Sequence, residues 1–199
     1  MSGMGKEKLA KAVRVITVPP LLVCLLLILL YGTRPGLFSG PFQLALSLLF
    51  LMGIPLLAYP LAALLPFTRG KGREGQRNLA FVLNLAGYTA AVVYGLVLRA
   101  SRGLLLVYGT YFLSVTVLLL LNKGLHIRAS GHACSVAGPL ILASYFLGWF
   151  AVLPCAAVFA AVAWASLALG RHSWKELVAG ALTAVASFGV SLLLLSFAG

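Results

Sequence analysis

Seven times along this chain the residues turn almost wholly apolar for 18 to 25 positions, over 13–31, 42–66, 79–98, 104–121, 132–149, 151–169 and 176–197. A bilayer core about 30 Å thick takes roughly 20 such residues as a helix, because each helical residue advances about 1.5 Å. Of its 199 residues 62% are hydrophobic and only 9% charged, and no stretch is left over for a water-soluble domain. The chain is therefore expected to be one integral membrane domain over 1–199, all-α, a polytopic bundle of about seven transmembrane helices. The second span carries Pro55 and Pro60 and is expected to kink, which membrane helices tolerate because neighbours re-satisfy the freed carbonyls. The fifth and sixth spans, parted by a turn expected around Pro154, predict a tight helical hairpin. Lys6 to Arg14 with the apolar run after them resemble a secretory signal, but no small-residue cleavage site precedes Tyr31, so the run is read as a retained first helix.

Acidic residues are so scarce that they exclude whole classes of chemistry. Aspartate is absent, and the only acids are Glu7, Glu74 and Glu176. A carboxylate-rich magnesium-diphosphate or calcium site cannot be assembled from three glutamates in separate segments. Catalysis must rest on histidine, serine and basic groups, with no metal and no cofactor. Cys24, Cys134 and Cys155 lie in or beside apolar segments without paired or metal-ligand spacing and read as small hydrophobes. The net charge of +12 is gathered in short clusters between apolar runs, which points to lipid headgroups or phosphate substrates and not to nucleic acid.

Alternate crossing puts 1–12, 67–78, 122–131 and 170–175 on one side of the membrane. Counting Arg14 at the margin, that side holds twelve of the fifteen lysines and arginines, and the other side has only Arg34, Arg99 and Arg102. The positive-inside rule makes the basic side cytoplasmic. With Arg73, Arg77, Lys123, Arg128 and Arg171 set aside as candidate phosphate ligands, the ratio is still seven to three.

Three polar clusters meet on that side: GKGREGQRN at 70–78, NKGLHIRASGH at 122–132 and LGRHSWKELVAG at 169–180. The second sets Ser130, Gly131 and His132 at the start of the fifth helix, where free backbone N–H groups and the helix dipole favour an anion. Lys123 and Arg128 add positive charge there, and the small Ser-Gly pair lets a phosphate approach the backbone. In the third cluster His172 and Glu176 are four apart, so they share a face if the seventh helix begins near His172. The carboxylate then keeps one ring nitrogen protonated and leaves the other free to attack. Such an imidazole can form a covalent phosphohistidine while His132 protonates the leaving oxygen.

Each residue also has a plainer reading. His132 can be a helix cap, Glu176 a partner of the helix dipole worth ~0.3–1 kcal/mol, and the 67–78 cations a topology signal. His126 reads as interfacial, and Trp149, Trp164 and Trp174 as belt or packing residues. Asn84 and Tyr88 read as hydrogen-bonding to a neighbouring helix, and Gly138, Gly148, Gly180 and Gly189 as permitting close helix approach. The functional reading of the histidines prevails because membrane-edge ionisable groups are costly and three of them share one side.

Ser130-Gly131-His132, followed after a helical hairpin by Gly170-Arg171-His172-Ser173-Trp174-Lys175-Glu176-Leu177-Val178-Ala179-Gly180, resembles two motifs of the type-2 phosphatidic acid phosphatase superfamily of membrane lipid phosphatases. The likeness covers about the last 80 residues, and the rest only through helix count and the basic loop. It implies a six-helix phosphatase core with one extra helix. It implies His172 as nucleophile, His132 as general acid, and Ser130 with the Gly131 amide in a phosphate cradle. Glu176 stands where the family has aspartate, one methylene longer. Lys123 and Arg128 look like the first motif compressed, with four residues between them instead of six and Ala129 in place of proline. Ser166, six residues before His172, stands where the family has a phosphate-binding arginine. Arg171, or Arg73 and Arg77, are the candidates to supply that planar two-point grip.

The implied activity is metal-independent hydrolysis of a lipid-linked phosphate or diphosphate, isoprenoid or glycerolipid, with membrane lipids as the surroundings. Ser166 and the missing proline leave a second reading open, a catalytically degenerate lipid-phosphate-binding or transport-related membrane protein. An intramembrane serine protease built on Ser130 suits less well, because the cations fit phosphate better than a peptide carbonyl and no glycine stands two residues before Ser130.

Overall fold

The computed structural model describes residues 3–66 and 72–197, with the backbone alone for Gly3, Met4 and Arg73. Among the described residues there are helices and no strand. In chain order they are α1 (Gly3–Ile16), α2 (Pro19–Thr33), α3 (Pro41–Leu64), α4 (Gly72–Val97), α5 (Arg102–Gly124), α6 (Gly131–Leu147), α7 (Trp149–Ala168) and α8 (Trp174–Phe197). Five of them, α3, α4, α5, α7 and α8, are long and apolar enough to cross a membrane, and α1 with α2 makes a sixth if that bent pair is one span. The apolar α6 is shorter, at 17 residues.

Two expectations about these helices need correction. The run 13–31 is not one helix: α1 and α2 meet at 47°. Pro19 and Pro20 occupy the first positions of α2, where their missing N–H groups cost nothing, but no ladder can continue through them from α1. The hairpin between α6 and α7 turns at Gly148, whose φ of +86° lies in the left-handed region that glycine enters without strain. Pro154 lies inside α7 instead, beyond the turn. In α3 the helical ladder is interrupted where a kink is expected, by a π-helical turn over Leu49–Gly53 followed by Pro55 and a break at Leu57.

The hairpin is antiparallel, because Ala133 at the start of α6 packs with Ala163 near the end of α7, and Leu177 of α8 closes the cluster. The main core joins Leu26, Leu27 and Leu30 of α2 to Tyr88 and Ala91 of α4, Val107 and Tyr108 of α5, and Leu142 of α6. Polar side chains turn inward. Ser47 of α3 gives its proton to the Gln43 carbonyl at 2.7 Å, so the Tyr108 hydroxyl, 2.6 Å away, donates to Ser47 and ties α3 to α5. Such a bond between helices in a membrane is worth about 0.6 kcal/mol. Large apolar side chains turn outward, among them Phe42, Val97, Leu153, Leu182 and Phe197. In water that shell would be an aggregation surface, whereas in hydrocarbon it is solvated. Trp149 and Trp174, both well exposed, mark opposite ends of the bundle as interface anchors do.

At one end Ser101 donates to the Leu37 carbonyl at 2.6 Å, gathering the 34–40 loop against the start of α5. At the other end α1, the first turns of α4, the 125–130 loop and the α7–α8 turn border a common groove. Alternate crossing predicts this grouping of connections. Within it α8 comes close to the first turn of α6. The Ser130 amide donates to the Glu176 carbonyl at 2.9 Å, and a methyl group built on Gly180 would overlap the Ser130 carbonyl oxygen. Close approach is thus the role of Gly180, as expected, but around Gly138 and Gly189 there is open space. Gly180→Ala is expected to destabilise the protein by about 1–3 kcal/mol through overpacking against rigid backbone. Gly189→Ala is expected to leave stability unchanged or raise it by about 0.5–1 kcal/mol. Thermal unfolding of the two purified variants in detergent measures the difference.

Candidate functional site

The site begins where α7 stops. Gly170, with φ +60°, follows the last turn; its amide donates to the Leu167 carbonyl at 3.0 Å and the Arg171 amide to the Ser166 carbonyl at 3.0 Å. This pairing is the Schellman arrangement, which satisfies two orphan carbonyls and reverses the chain within a few residues. His172 is thereby delivered just ahead of α8. The Ser173 hydroxyl accepts from the Glu176 amide at 3.3 Å, as an N-cap does.

His172 is therefore not inside the helix as the spacing suggests, but two positions before its first residue. The contact forms all the same. In a capping box the glutamate three residues after the cap would reach back to the cap's own amide. Here Glu176 turns its carboxylate to His172, with Nδ1 and Oε2 2.9 Å apart. The pair is 26% and 22% exposed, so it contributes at most about 1 kcal/mol to stability. Its consequence is orientation: in the neutral ring the carboxylate favours the tautomer with the proton on Nδ1, which leaves the lone pair on Nε2.

The second histidine is set by α6. Ser130 is its N-cap, accepting from the Ala133 amide at 3.2 Å, and the residue is 1% exposed. The serine hydroxyl is thus engaged in the cap, while Gly131 and His132 form the cavity wall. Their amides lie in the first turn, where helix geometry supplies no acceptor. A Cβ on Gly131 would meet nothing, so open space adjoins this backbone. His132 Nε2 is buried and has no hydrogen-bond partner among the described residues.

Asn122 holds the preceding loop in place and was not recognisable as functional from its sequence neighbourhood. Its Nδ2 donates to the Leu118 carbonyl at 3.0 Å and the Ala129 carbonyl at 3.1 Å, and its Oδ1 accepts from the Ala129 amide at 3.4 Å. One amide group thereby ties the end of α5 to the residue before the α6 cap. The signal available was an uncharged polar residue closing an apolar run.

The two imidazoles share a cavity of ≈ 370 Å³ that also takes in Arg14, Arg77, Asn122 and, further in, Tyr88 and Tyr111. Along α4, Arg77 and Tyr88 are eleven residues apart, so the cavity runs about 16 Å down the bundle. Asn84, expected to bond a neighbouring helix, borders this cavity with Tyr88, and the Tyr111 hydroxyl within it has no partner among the described residues. Outside the cavity opens the groove lined by Lys11, Glu74, Arg128 and Arg171, with Arg14, Arg77 and His172 common to both. The Glu176 carboxyl is held below the usual carboxylate range, first by its hydrogen bond to His172 and least by the charge of Arg128.

Of the residues expected at a phosphate site, His132, His172, Gly131 and Arg77 lie on the cavity wall, and Arg128 and Arg171 on the groove. Lys123 is exposed in the last turn of α5 and borders neither. The side chain of Arg73 lies outside the described residues, as do Arg69 and Lys71. His126 is exposed with φ +56° and shapes the loop. Arg14, Asn122 and Tyr111 are additions that the motifs did not single out. Among the described residues, histidine, cysteine and carboxylates nowhere gather in threes that could hold a metal ion.

Asn122→Ala removes three polar contacts from partly buried backbone, and is expected to cost about 1–3 kcal/mol and loosen the 125–130 loop. A lowered unfolding temperature together with faster amide hydrogen exchange at Ala129 and Ser130 is the measurable result.

Comparison with family models, with curated proteins and with solved structures finds no match to this chain.

Proposed function

We propose that this protein is a membrane phosphatase that hydrolyses a phosphate or diphosphate ester of a lipid through a phosphohistidine intermediate. The observation that carries this reading is the meeting of two differently equipped imidazoles in one cation-lined cavity. His172 has Nδ1 engaged by Glu176 at 2.9 Å, and His132 presents an unpartnered Nε2. In this reading α6 also crosses the bilayer, giving seven crossings with α2 to α8, while α1 lies against the basic end. The charge asymmetry of the connections supports a cytoplasmic position for that end.

The mechanism follows from the two rings. Nε2 of His172 attacks the terminal phosphorus as its bond to the leaving oxygen breaks, the lipid oxygen of a monophosphate or the bridging oxygen of a diphosphate, and His132 gives that oxygen its proton. Charge developing on the phosphoryl oxygens meets the Gly131 and His132 amides and the guanidinium groups at the cavity mouth. Water then attacks the phosphohistidine while His132 takes back a proton. The P–N bond breaks, and orthophosphate and free His172 result. Glu176 stabilises the imidazolium character that His172 acquires during attack and holds the ring in the attacking tautomer.

Phosphate release from phosphatidic acid and from an isoprenyl diphosphate, with purified protein in mixed micelles, tests the reading. His172→Ala is expected to fall to background. His132→Gln is expected to lower kcat on the lipid esters by about 10²–10⁴. The same variant should lose far less on p-nitrophenyl phosphate, whose leaving group needs no proton. Activity is expected to survive excess chelator. A His172→Ala variant with wild-type turnover would end the proposal.

Ser166, lacking the charge of the arginine it replaces by resemblance, favours a second reading as a lipid-phosphate binder without turnover. Saturable binding of phosphatidic acid with no phosphate released over long incubation would establish that alternative.

A further inference from the structure

Arg14 entered the sequence reading only as a charge at the edge of the first span. In the fold it is the residue common to the cavity and the groove that comes from α1, an element with no part in either histidine motif. Its Nη1 donates to the Ser166 hydroxyl at 3.1 Å, across 152 residues of chain. Ser166 is fully buried, so this hydroxyl is a fixed anchor and not a solvent-exposed contact. Arg77, Arg128 and Arg171 are exposed, whereas Arg14 is only half-exposed. A guanidinium held at a cavity wall and partly withdrawn from water interacts with an anion more strongly than one on a mobile surface arm.

Ser166 has a second attachment. Its carbonyl accepts the Arg171 amide in the turn that delivers His172. One buried serine therefore fixes both the guanidinium and the start of the segment carrying the nucleophile. The unpartnered Nε2 of His132 borders the same cavity.

We infer that Arg14 is the principal anion-binding side chain of this site, receiving a phosphoryl group between His132 and His172, and that Ser166 is its positioning residue. This deepens the phosphatase reading and rests on it for the identity of the anion. The bend between α1 and α2 gains a purpose, since it brings α1 alongside the end of α7. The N-terminal helix is then part of the site.

Orthovanadate, a phosphate-shaped ion, is the probe, titrated calorimetrically into the purified full-length protein in detergent, with short-chain phosphatidic acid titrated in parallel. Arg14→Gln is expected to weaken both ligands by roughly ten- to a hundredfold, the loss typical of a charged hydrogen bond. Arg14→Lys should recover only part, because an ammonium lacks the planar fork. Ser166→Ala should show a smaller loss, and Lys8→Gln, a change on the exposed face of α1, none. The double variant Arg14→Gln with Ser166→Arg returns a guanidinium from α7 and should regain affinity, which separates lost charge from lost folding.

Wild-type affinity for both ligands in Arg14→Gln overturns the inference, and so does an equal loss in Lys8→Gln. A loss confined to phosphatidic acid also overturns it, because Arg14 would then contact the lipid surface. A wild-type protein that binds neither ligand sinks it as well. Arg14-dependent orthovanadate binding without release of phosphate from any lipid would leave the inference standing and end the phosphatase reading. Turnover that depends on His172 but is indifferent to Arg14 would do the reverse.

Discussion

The approach of α8 to the first turn of α6 is the constraint on which the charged end of the bundle depends. Hydrocarbon offers no hydrogen-bond partner, so a backbone group freed at a helix end must find one within the protein or at the interface. The Ser130 amide finds it in the Glu176 carbonyl, at a point where Gly180 presents no side chain to hold the helices apart. That one contact ties the residue before Gly131 to the residue that grips His172. Two motifs more than 40 residues apart in sequence become neighbours through a requirement of backbone satisfaction.

Around this contact every local device closes a helix end without help from water. The Gly170 turn completes α7, Ser173 caps α8, Ser130 caps α6, and Asn122 joins the end of α5 to the loop before that cap. Against such thorough pairing, the groups without partners stand out. His132 Nε2 and the Tyr111 hydroxyl border one cavity, whereas Asn78 Oδ1 and the Ser187 and Ser191 hydroxyls, equally without partners among the described residues, lie off it. Cations border that cavity at its mouth, the electrostatic setting the proposed phosphate ester requires.

Much of this was legible in the chain. Apolar runs located the helices because bilayer thickness sets their length, and the scarcity of acids made Glu176 conspicuous before its partner was known. His172 and Glu176 meet as their spacing suggested, though through a capping turn and not a shared helical face. Other features were misread for physical reasons. Proline's tendency to break helices in water points to Pro154 as the hairpin turn, whereas glycine's access to positive φ makes Gly148 the turn and Pro154 lies inside α7. Lys123 matched a motif position, yet a long side chain on the outer side of the last turn of α5 borders neither cavity nor groove. Arg14 carried a signal that went unused: an arginine within the limits of an apolar span is costly enough to imply a partner.

By itself the sequence determined that the chain is helical, that its surface suits lipid, and that its basic connections fall on one side. These follow from length, hydropathy and charge, which are local quantities read one segment at a time. Which residues meet was decided only by the tertiary structure. The bend before Pro19 swings α1 toward α7, and the approach at Gly180 joins α6 to α8. An arginine from the first helix thereby reaches a serine in the seventh. No periodicity encodes that pairing, because it depends on how packed helices share the few buried hydrogen-bonding groups available between them.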